Sequence, residues 1–316
     1  MKIALLDDYQ GVALDCADWS ALQGKADITV FRDTITDLET LVERLAPFEI
    51  IGIMRERTPF PGALLERLPS LKLLATTGHR NASVDVAAAQ ARGVTVCGTP
   101  SSAHAAAELA WALVMAAARH LDVETRALRD GGWQVSLGRD LKGTTLGVIG
   151  LGRLGGLVAG YGRAFGMRVL GWSQNLTPER AAECGAEAVS KEALFREADF
   201  VTLHLRLSDR SRGLVSAEML GLMKPDAWIV NTARGPIIDE TALIAALKEG
   251  RIGGAALDVF DREPLPADHE LRRLANVVAT PHVGYVTREN YRTMYRVTAE
   301  NIAAFLAGAP QNVIEP

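Results

Sequence analysis

The sequence contains little cysteine, and the spacing of the few cysteines argues against two common kinds of stabilisation. Only three, Cys16, Cys97 and Cys184, occur among 316 residues, and they lie far apart. Because there is no C-x-x-C pair and no Cys/His spacing, the sequence indicates neither a disulfide framework nor a zinc site. We therefore expect no bound metal and a reducing location, the cytoplasm.

Long hydrophobic runs are also absent. The longest uninterrupted apolar stretch covers residues 109–118, well short of the roughly 20 residues that a helix needs to cross a bilayer. Asp7 and Asp8 interrupt the N-terminus before the apolar core of a signal peptide could form. The sequence therefore predicts neither a membrane partner nor export.

Positive charge is scarce as well. The chain has 34 Lys and Arg residues against 38 Asp and Glu, a net charge of −4. Nucleic-acid-binding proteins normally carry a basic surface, so we expect no nucleic-acid partner. Hydrophobic residues make up 48% and charged residues 23% of the chain, which is typical of globular proteins, and the length suits two domains.

Short apolar runs alternate with segments of helical period, a pattern that predicts an α/β fold with two doubly wound parallel sheets. The first sheet is predicted to contain residues 2–7, 28–31, 50–54, 71–76 and 94–98. The second is predicted to contain six strands: 145–150, 168–173, 200–205, 228–233, 254–260 and 276–282. A long helix over 101–130 is expected to cross between the domains, and another, over 288–306, to return to the first sheet.

A glycine motif, Gly150-x-Gly152-x-x-Gly155, follows a predicted strand and opens a helix. In such a turn the first glycine permits a tight bend, the second lets backbone approach a pyrophosphate, and the third lets helix and strand pack closely. The amides at the helix start, including those of Arg153 and Leu154, then face the phosphates. The motif predicts a dinucleotide site, although a glycine-rich turn without a ligand is the alternative.

The next strand ends without the acid that usually binds the adenosine ribose of NAD. Ser173, Gln174 and Asn175 stand there instead, and their side chains could donate hydrogen bonds to the 2′-phosphate of NADP. No arginine lies in this loop to clamp a phosphate, and Ser173 could also be an ordinary exposed loop residue. The cofactor is therefore predicted to be NAD(H) or NADP(H), with the preference open.

Polar residues follow three later strands, and their chemical properties complement one another. Arg234 follows the fourth strand of the second sheet, Glu263 the fifth and His282 the sixth. Arginine can bind a carboxylate, histidine can exchange a proton near neutral pH, and glutamate can stabilise and orient an imidazolium. Each residue also has an interpretation without a catalytic role: an ion-pairing arginine, a solvated loop carboxylate, and a histidine capping a turn. Together at one edge of a sheet they suit the reduction of a 2-keto acid.

The chain resembles the D-isomer-specific 2-hydroxyacid dehydrogenases, which include phosphoglycerate dehydrogenases and glyoxylate/hydroxypyruvate reductases. The resemblance covers essentially the whole chain and rests on GLGRLG, HLRLSDRSRGLV, MKPDAWIVNTARGPIIDE, GGAALDVFDREPLP and ATPHVGY, in the usual order. It implies a flavodoxin-like substrate domain of residues 1–99 and 288–316 and a Rossmann domain of residues 100–287. It also implies a homodimer, with the 109–118 segment as a candidate contact.

The resemblance also implies residue roles. Arg234 matches the substrate arginine, His282 the acid/base, Glu263 its partner, and Asp258 a residue near the nicotinamide carboxamide. Cofactor-binding candidates are Gly150, Gly152, Arg153, Leu154, Gly155, Ser173, Gln174, Thr232, Asp258 and Gly284. Substrate-binding candidates are Arg55, Gly78, His79, Arg80 and Asn81, with the backbone amides around Gly78 meeting the substrate carboxylate. For this loop the alternative is helix-start chemistry, with Asn81 and Ser83 as caps.

The resulting hypothesis is hydride transfer between a nicotinamide cofactor and a small 2-keto acid, giving a D-2-hydroxy acid, with His282 exchanging the proton. The D stereochemistry follows from the resemblance alone, and the sequence does not identify the physiological acid. Formate dehydrogenases of the same superfamily are disfavoured because they have glutamine where this chain has Glu263. The main alternative is a dinucleotide-sensing binding protein, similar to corepressors that share this fold.

Overall fold

The computed structural model describes every residue from Met1 to Pro316, and the chain divides into two compact units. The first unit combines Met1–Ser102 with Val286–Pro316, and the second is Ala103–Tyr285. No helix in either unit is long and apolar enough to span a membrane.

The elements alternate along the chain as the apolar pattern predicts. The strands are β1 (Lys2–Leu5), β2 (Asp27–Val30), β3 (Ile50–Ile53), β4 (Leu73–Thr76), β5 (Thr95–Cys97), β6 (Thr145–Ile149), β7 (Arg168–Trp172), β8 (Glu187–Ala188), β9 (Phe200–Leu203), β10 (Trp228–Asn231), β11 (Gly254–Leu257) and β12 (Val277–Ala279). The α-helices are α1 (Leu38–Leu45), α2 (Gly62–Leu65), α3 (Val86–Ala91), α4 (Ala103–Arg119), α5 (Leu121–Arg129), α6 (Arg153–Ala164), α7 (Pro178–Glu183), α8 (Lys191–Glu197), α9 (Ala217–Leu222), α10 (Glu240–Lys248) and α11 (Arg288–Leu306).

The first unit is built on a five-stranded parallel sheet in the order β2-β1-β3-β4-β5. Its strands lie within one or two residues of the predicted segments. Helix α11 returns to this sheet and contacts β4, with Met294 and Ile302 fully buried. The return is favoured because the helix carries an apolar stripe at helical spacing, which must be removed from water.

The second unit is built on a seven-stranded parallel sheet in the order β12-β11-β10-β9-β6-β7-β8. Neighbouring residues of β6 face opposite sides, so that Val148 lies in one apolar cluster and Ile149 in the other. Helices cover both faces, as a parallel sheet requires. The predicted α/β fold with two doubly wound parallel sheets is therefore confirmed.

Two details differ from the sequence-based expectation. The second sheet has seven strands rather than six, because β8 adds an exposed two-residue edge strand that carries no apolar run. The predicted helix over 101–130 is wrong. It breaks into α4 and α5 at His120, which has φ +48°, and the Ala118 carbonyl accepts from the Arg139 amide at 2.8 Å instead of continuing the helix. Both helices lie in the second unit.

Asp199 ties together three parts of the second unit just before β9. Its carboxylate accepts from the Thr145 amide at 2.7 Å, from Arg139 at 3.2 Å and from Lys224 at 3.0 Å. Burial raises the pKa of Asp199, but these hydrogen bonds and cations outweigh burial and lower it overall. A carboxyl with a lowered pKa stabilises the folded state above its unfolded pKa of about 4, and this stabilisation is lost as the pH falls through the folded pKa.

We therefore expect Asp199→Asn to lose less of its free energy of unfolding than the wild type when the pH is lowered from 7 to about 3, below the unfolded pKa of an aspartate. Urea titrations followed by tryptophan fluorescence would measure this, since Trp111, Trp133, Trp172 and Trp228 all lie in the second unit. Asp226→Asn is the control, because Asp226 is an exposed partner of the same Arg139. Equal pH profiles for all three proteins would contradict the assignment.

Candidate functional site

The glycine motif forms a tight turn between β6 and α6. Gly150 has φ +97°, and a Cβ there would lie 2.9 Å from the carbonyl oxygen of His204. A Cβ at Gly155 would lie 1.9 Å from the Gly150 carbonyl oxygen, so the start of the helix packs directly on the turn. At Gly152, which caps the helix, a Cβ would meet no atom within 4 Å. The turn therefore leaves open space in front of the helix amides, as a phosphate requires.

Two buried polar atoms lack hydrogen-bond partners at the carboxyl ends of the neighbouring strands β9 and β10. They are Nδ1 of His204, just after β9, and Oγ1 of Thr232, just after β10. Burial lowers the pKa of His204 to about 3, so its ring is neutral and can serve as a hydrogen-bonding group. Buried polar groups normally have partners, and two orphaned atoms at the ends of adjacent strands fit a polar ligand such as a dinucleotide.

His204 was not identified as a site residue from the sequence. The signal was available in the motif HLRLSDRSRGLV, but a histidine after a buried strand is not distinctive by itself. Its Nε2 lies 2.9 Å from the Thr202 hydroxyl, and its amide donates to the Ile149 carbonyl at 2.8 Å. These contacts hold the residue against the glycine turn.

The loop after β7 leaves the cofactor preference open. Ser173 is partly exposed and Gln174 is exposed, and the Ser173 carbonyl accepts from the Leu176 amide at 3.1 Å. Arg180 lies eight residues beyond the end of β7 and pairs with Glu183 at 2.8 Å. The loop therefore has neither an acid for a ribose nor a dedicated arginine clamp for a phosphate.

The second feature of the site is a histidine–glutamate pair. Nδ1 of His282 lies 2.5 Å from Oε2 of Glu263, and the other carboxylate oxygen of Glu263 accepts from the Phe260 amide at 2.9 Å. The ring of Tyr285 meets the imidazole edge-on at 5.6 Å between centroids. Because Glu263 occupies Nδ1 and is itself oriented by the backbone, Nε2 is the nitrogen left for proton exchange with a ligand.

Asp258 builds the turn that carries His282. Its buried carboxylate accepts from the Thr280 hydroxyl at 2.6 Å and from the amides of Val283 at 2.8 Å and Gly284 at 2.9 Å. Burial raises the pKa of Asp258, and the hydrogen bonds act in the opposite direction. Both oxygens are engaged by the chain itself, so its contact with a nicotinamide stays a prediction.

Arg234 lies in a turn after β10, the strand next to β11. Asn231 closes this turn, donating to the Arg234 carbonyl at 2.9 Å and accepting from the Ala233 amide at 3.0 Å. The turn packs against the loop that leads to Glu263, because a Cβ at Gly235 would lie only 2.0 Å from the Phe260 carbonyl carbon. The second unit thus brings Arg234, Glu263 and His282 to the carboxyl ends of three adjacent strands.

The predicted substrate loop of the first unit follows β4. The Gly78 amide, expected to face a carboxylate, donates to the Thr99 hydroxyl at 2.9 Å instead. His79 and Arg80 are exposed, whereas Asn81 is buried. The alternative of a helix cap at Asn81 or Ser83 is wrong, because Asp85 caps α3 by accepting from the Ala88 amide.

Comparisons with known proteins show which family and which solved structures the chain is similar to. The model for the NAD-binding domain of D-isomer-specific 2-hydroxyacid dehydrogenases matches residues 111–284. A glyoxylate reductase from Thermococcus litoralis is 40% identical over 262 residues, 79% of each chain. A D-3-phosphoglycerate dehydrogenase from Methanocaldococcus jannaschii is 40% identical over 281 residues, 87% of this chain and 53% of its own. The crystal structure of a phosphoglycerate oxidoreductase from Vibrio cholerae O395 is 41% identical, with a TM-score of 0.93 over 98% of this chain and 100% of its own.

We expect Gly155→Ala to abolish tight binding of NADH and NADPH and to lower the free energy of unfolding by about 1–3 kcal/mol, since the new methyl group would overlap the Gly150 carbonyl. Gly160→Ala is the matched control on the same helix, because a Cβ there meets nothing within 4 Å. The control should gain about 0.5–1 kcal/mol from helix propensity and keep cofactor binding. Fluorescence titration and thermal unfolding would measure both effects, and normal binding by Gly155→Ala would contradict the site.

Proposed function

The chain belongs to the D-isomer-specific 2-hydroxyacid dehydrogenase family, and on this basis we propose that His282, Glu263 and Arg234 perform its interconversion of 2-keto acids and D-2-hydroxy acids with NAD(H) or NADP(H). The single observation that carries the proposal is the 2.5 Å contact between His282 Nδ1 and Glu263 Oε2. It lies in the same unit as a glycine turn that fits a dinucleotide.

Proton transfer is assigned to Nε2 of His282. During reduction this nitrogen gives its proton to the carbonyl oxygen of the keto acid, and during oxidation it takes the proton back. Glu263 holds the ring through Nδ1, which leaves Nε2 for the exchange with the substrate. A bound nicotinamide cofactor supplies or accepts the hydride.

Carboxylate binding is assigned to Arg234. A guanidinium offers two parallel donors that match the two oxygens of a carboxylate, and Asn231 orients the turn that carries it. The exposed residues His79 and Arg80, with Arg55, are proposed to contact the remainder of the substrate and to set the preference among acids.

Cofactor binding is assigned to the second unit. The turn of Gly150, Gly152 and Gly155 would hold the pyrophosphate, with the amides of Arg153 and Leu154 at the start of α6 as its hydrogen-bond donors. Further contacts are proposed at Ser173, Gln174, His204, Thr232, Asp258 and Gly284.

The decisive assay is oxidation of NADH and NADPH in the presence of a panel of small 2-keto acids. We expect His282→Ala to lower kcat by about 10²–10⁴-fold and Arg234→Ala to lower kcat/KM by about 100-fold or more, since a charge-assisted bidentate contact is lost. Both variants should still bind the cofactor.

The matched control is His269→Ala, because His269 pairs with Glu240 at 3.2 Å in the same unit without a proposed role. This variant should keep wild-type turnover. If the wild type binds both cofactors but oxidises neither with any acid, the enzyme assignment falls and a dinucleotide-sensing binding protein takes its place.

We also propose that the chain works as a homodimer in the cytoplasm. The 109–118 segment, expected as the contact, packs Leu113, Val114 and Ala117 into the core of its own unit. Exposed apolar side chains instead cluster further along the chain, at Leu121, Leu128, Trp133, Val135 and Leu137. We call this cluster the apolar arm.

The apolar arm is held in place with its side chains in solvent. Glu124 accepts from the amides of Val135 at 3.1 Å and Ser136 at 2.6 Å, and Trp133 and Leu137 are 76% and 92% exposed. Several large apolar side chains exposed within one short segment are typical of an interaction site. Both charge signs flank the arm, and such a mixed surface can be self-complementary across a two-fold axis.

We expect Leu137→Asp and Trp133→Asp to convert the dimer to a monomer, because each would bury an unpaired carboxylate at the interface. Sedimentation velocity at micromolar concentration would measure the change. Leu14→Asp is the control, since Leu14 is half exposed in the first unit, away from the arm in sequence. A monomeric wild type, or a dimer that survives both arm substitutions, would contradict this interface.

A further inference from the structure

Arg55 has a backbone conformation that arginine rarely adopts. Its φ is +53°, in the left-handed region where the Cβ of an L-residue is crowded by its own backbone. Such conformations cost free energy and persist only where the surrounding structure enforces them, most often at functional sites. Arg55 lies two residues beyond Ile53, the last residue of β3, which is the strand that pairs with β4.

Two side chains from the loop after β4 form hydrogen bonds with the backbone of Arg55, one with its amide and one with its carbonyl. The Arg55 amide donates to the Thr77 hydroxyl at 2.8 Å, and the Arg55 carbonyl accepts from Nδ2 of Asn81 at 2.6 Å. Thr77 and Asn81 are both buried. These two hydrogen bonds therefore fix the peptide groups before and after the Arg55 Cα, which determines the direction of the Arg55 side chain.

Asn81 has no capacity left for a substrate. Its two amide hydrogens go to the Arg55 carbonyl and to the Thr76 hydroxyl at 2.9 Å. Its carbonyl oxygen accepts from the amide and the hydroxyl of Ser83, at 2.9 and 2.6 Å. An asparagine side chain offers two donors and two lone pairs, so all of its positions are filled within the loop. The direct substrate contact expected for Asn81 from the sequence is therefore not what its geometry supports.

The side chain of Arg55 reaches across Gly78. Its Nη1 lies 1.9 Å from the position that a Cβ on Gly78 would occupy, and Gly78 itself has φ +98°. Any other residue at position 78 would push the guanidinium away. The left-handed arginine, its two clamping side chains and the glycine thus combine to bring a cation to the predicted substrate loop.

We propose that Asn81 and Thr77 are positioning residues that hold Arg55 in its left-handed conformation, so that its guanidinium is aligned at Gly78 for a hydrogen-bond-accepting group in the part of the substrate beyond the carboxylate that Arg234 binds. The assignment rests on the proposed function for the identity of the ligand, a 2-keto acid. The conformational part of the assignment stands on the first unit alone.

A double-mutant cycle tests whether Asn81 acts through Arg55. We expect Asn81→Ala and Arg55→Ala each to raise KM for the keto acid about 10-fold or more, with kcat and the KM for the cofactor within about 2-fold of the wild type. The double variant should be no worse than Arg55→Ala, because residues that act on one contact are not additive. Multiplicative effects on KM would overturn the proposal.

Conservative variants separate positioning from general folding. Thr77→Ser keeps the hydroxyl that accepts from the Arg55 amide and should keep the wild-type KM, whereas Thr77→Val, of similar volume, should raise it. Ser83→Ala is the control for Asn81→Ala. It removes the Ser83 hydroxyl that donates to Asn81 but leaves the hydrogen bond from Asn81 to the Arg55 carbonyl intact. Equal KM values for Thr77→Ser and Thr77→Val would contradict the role of the hydroxyl.

The conformational part has a readout that needs no turnover. Replacing alanine by glycine normally lowers stability, but at a left-handed position the sign reverses. We expect Arg55→Gly to unfold about 2–4 °C above Arg55→Ala. An Arg55→Ala protein that is the more stable of the two would overturn the strained conformation. If the wild type turns over no 2-keto acid while this temperature order holds, the proposed function fails and the positioning of Arg55 stands.

Discussion

The buried carboxylate of Asp258 makes the hydrogen bonds on which the proposed catalytic edge of the second unit depends. An acid in an apolar interior is costly unless hydrogen bonds compensate it, and here the Thr280 hydroxyl and the amides of Val283 and Gly284 do so. These bonds join the end of β11 to the turn beyond β12. His282 lies inside that turn with φ +52°, so its unusual backbone is maintained by a neighbouring side chain that does not itself perform the chemistry.

A similar arrangement occurs at three strand ends that carry predicted functional side chains. Asn231 closes the turn of Arg234, Asp258 closes that of His282, and Asn81 grips Arg55. In every case a buried polar side chain satisfies backbone groups of the loop that carries the predicted functional side chain. Strand ends are suited to this because backbone amides and carbonyls there have lost their sheet partners and need others. Rigid scaffolding of this kind keeps the geometry of a reacting group within the narrow limits that catalysis needs.

Much of this molecule could be predicted from its sequence, and the reason differs between fold and site. Buried parallel strands are short apolar runs, so β1 to β7 and β9 to β12 are visible as local patterns. The two-residue strand β8 has no such pattern, because it is defined only by its pairing with β7. The break at His120 was also invisible, since the Ala118 carbonyl turns to Arg139, a residue that no helical period connects to it. For the site, the polar strand ends and the resemblance to a family predicted Arg234, Glu263 and His282, but neither predicted the buried His204 beside the glycine turn.

By itself the sequence determined the α/β class, the glycine turn at Gly150 to Gly155 and the residue types at the strand ends. These follow from local chemistry: apolar period, backbone freedom at glycine, and the charge of each side chain. Only the tertiary structure decided what each polar group binds. Asn81, expected to bind the substrate, donates a hydrogen bond to the Arg55 carbonyl instead. The Gly78 amide donates to the Thr99 hydroxyl. The most exposed apolar side chains lie in the apolar arm rather than in the 109–118 segment. Hydrogen-bond partners and solvent exposure depend on which distant segments meet, and contacts between segments far apart in the chain are set by the packing of the whole unit rather than by any local pattern.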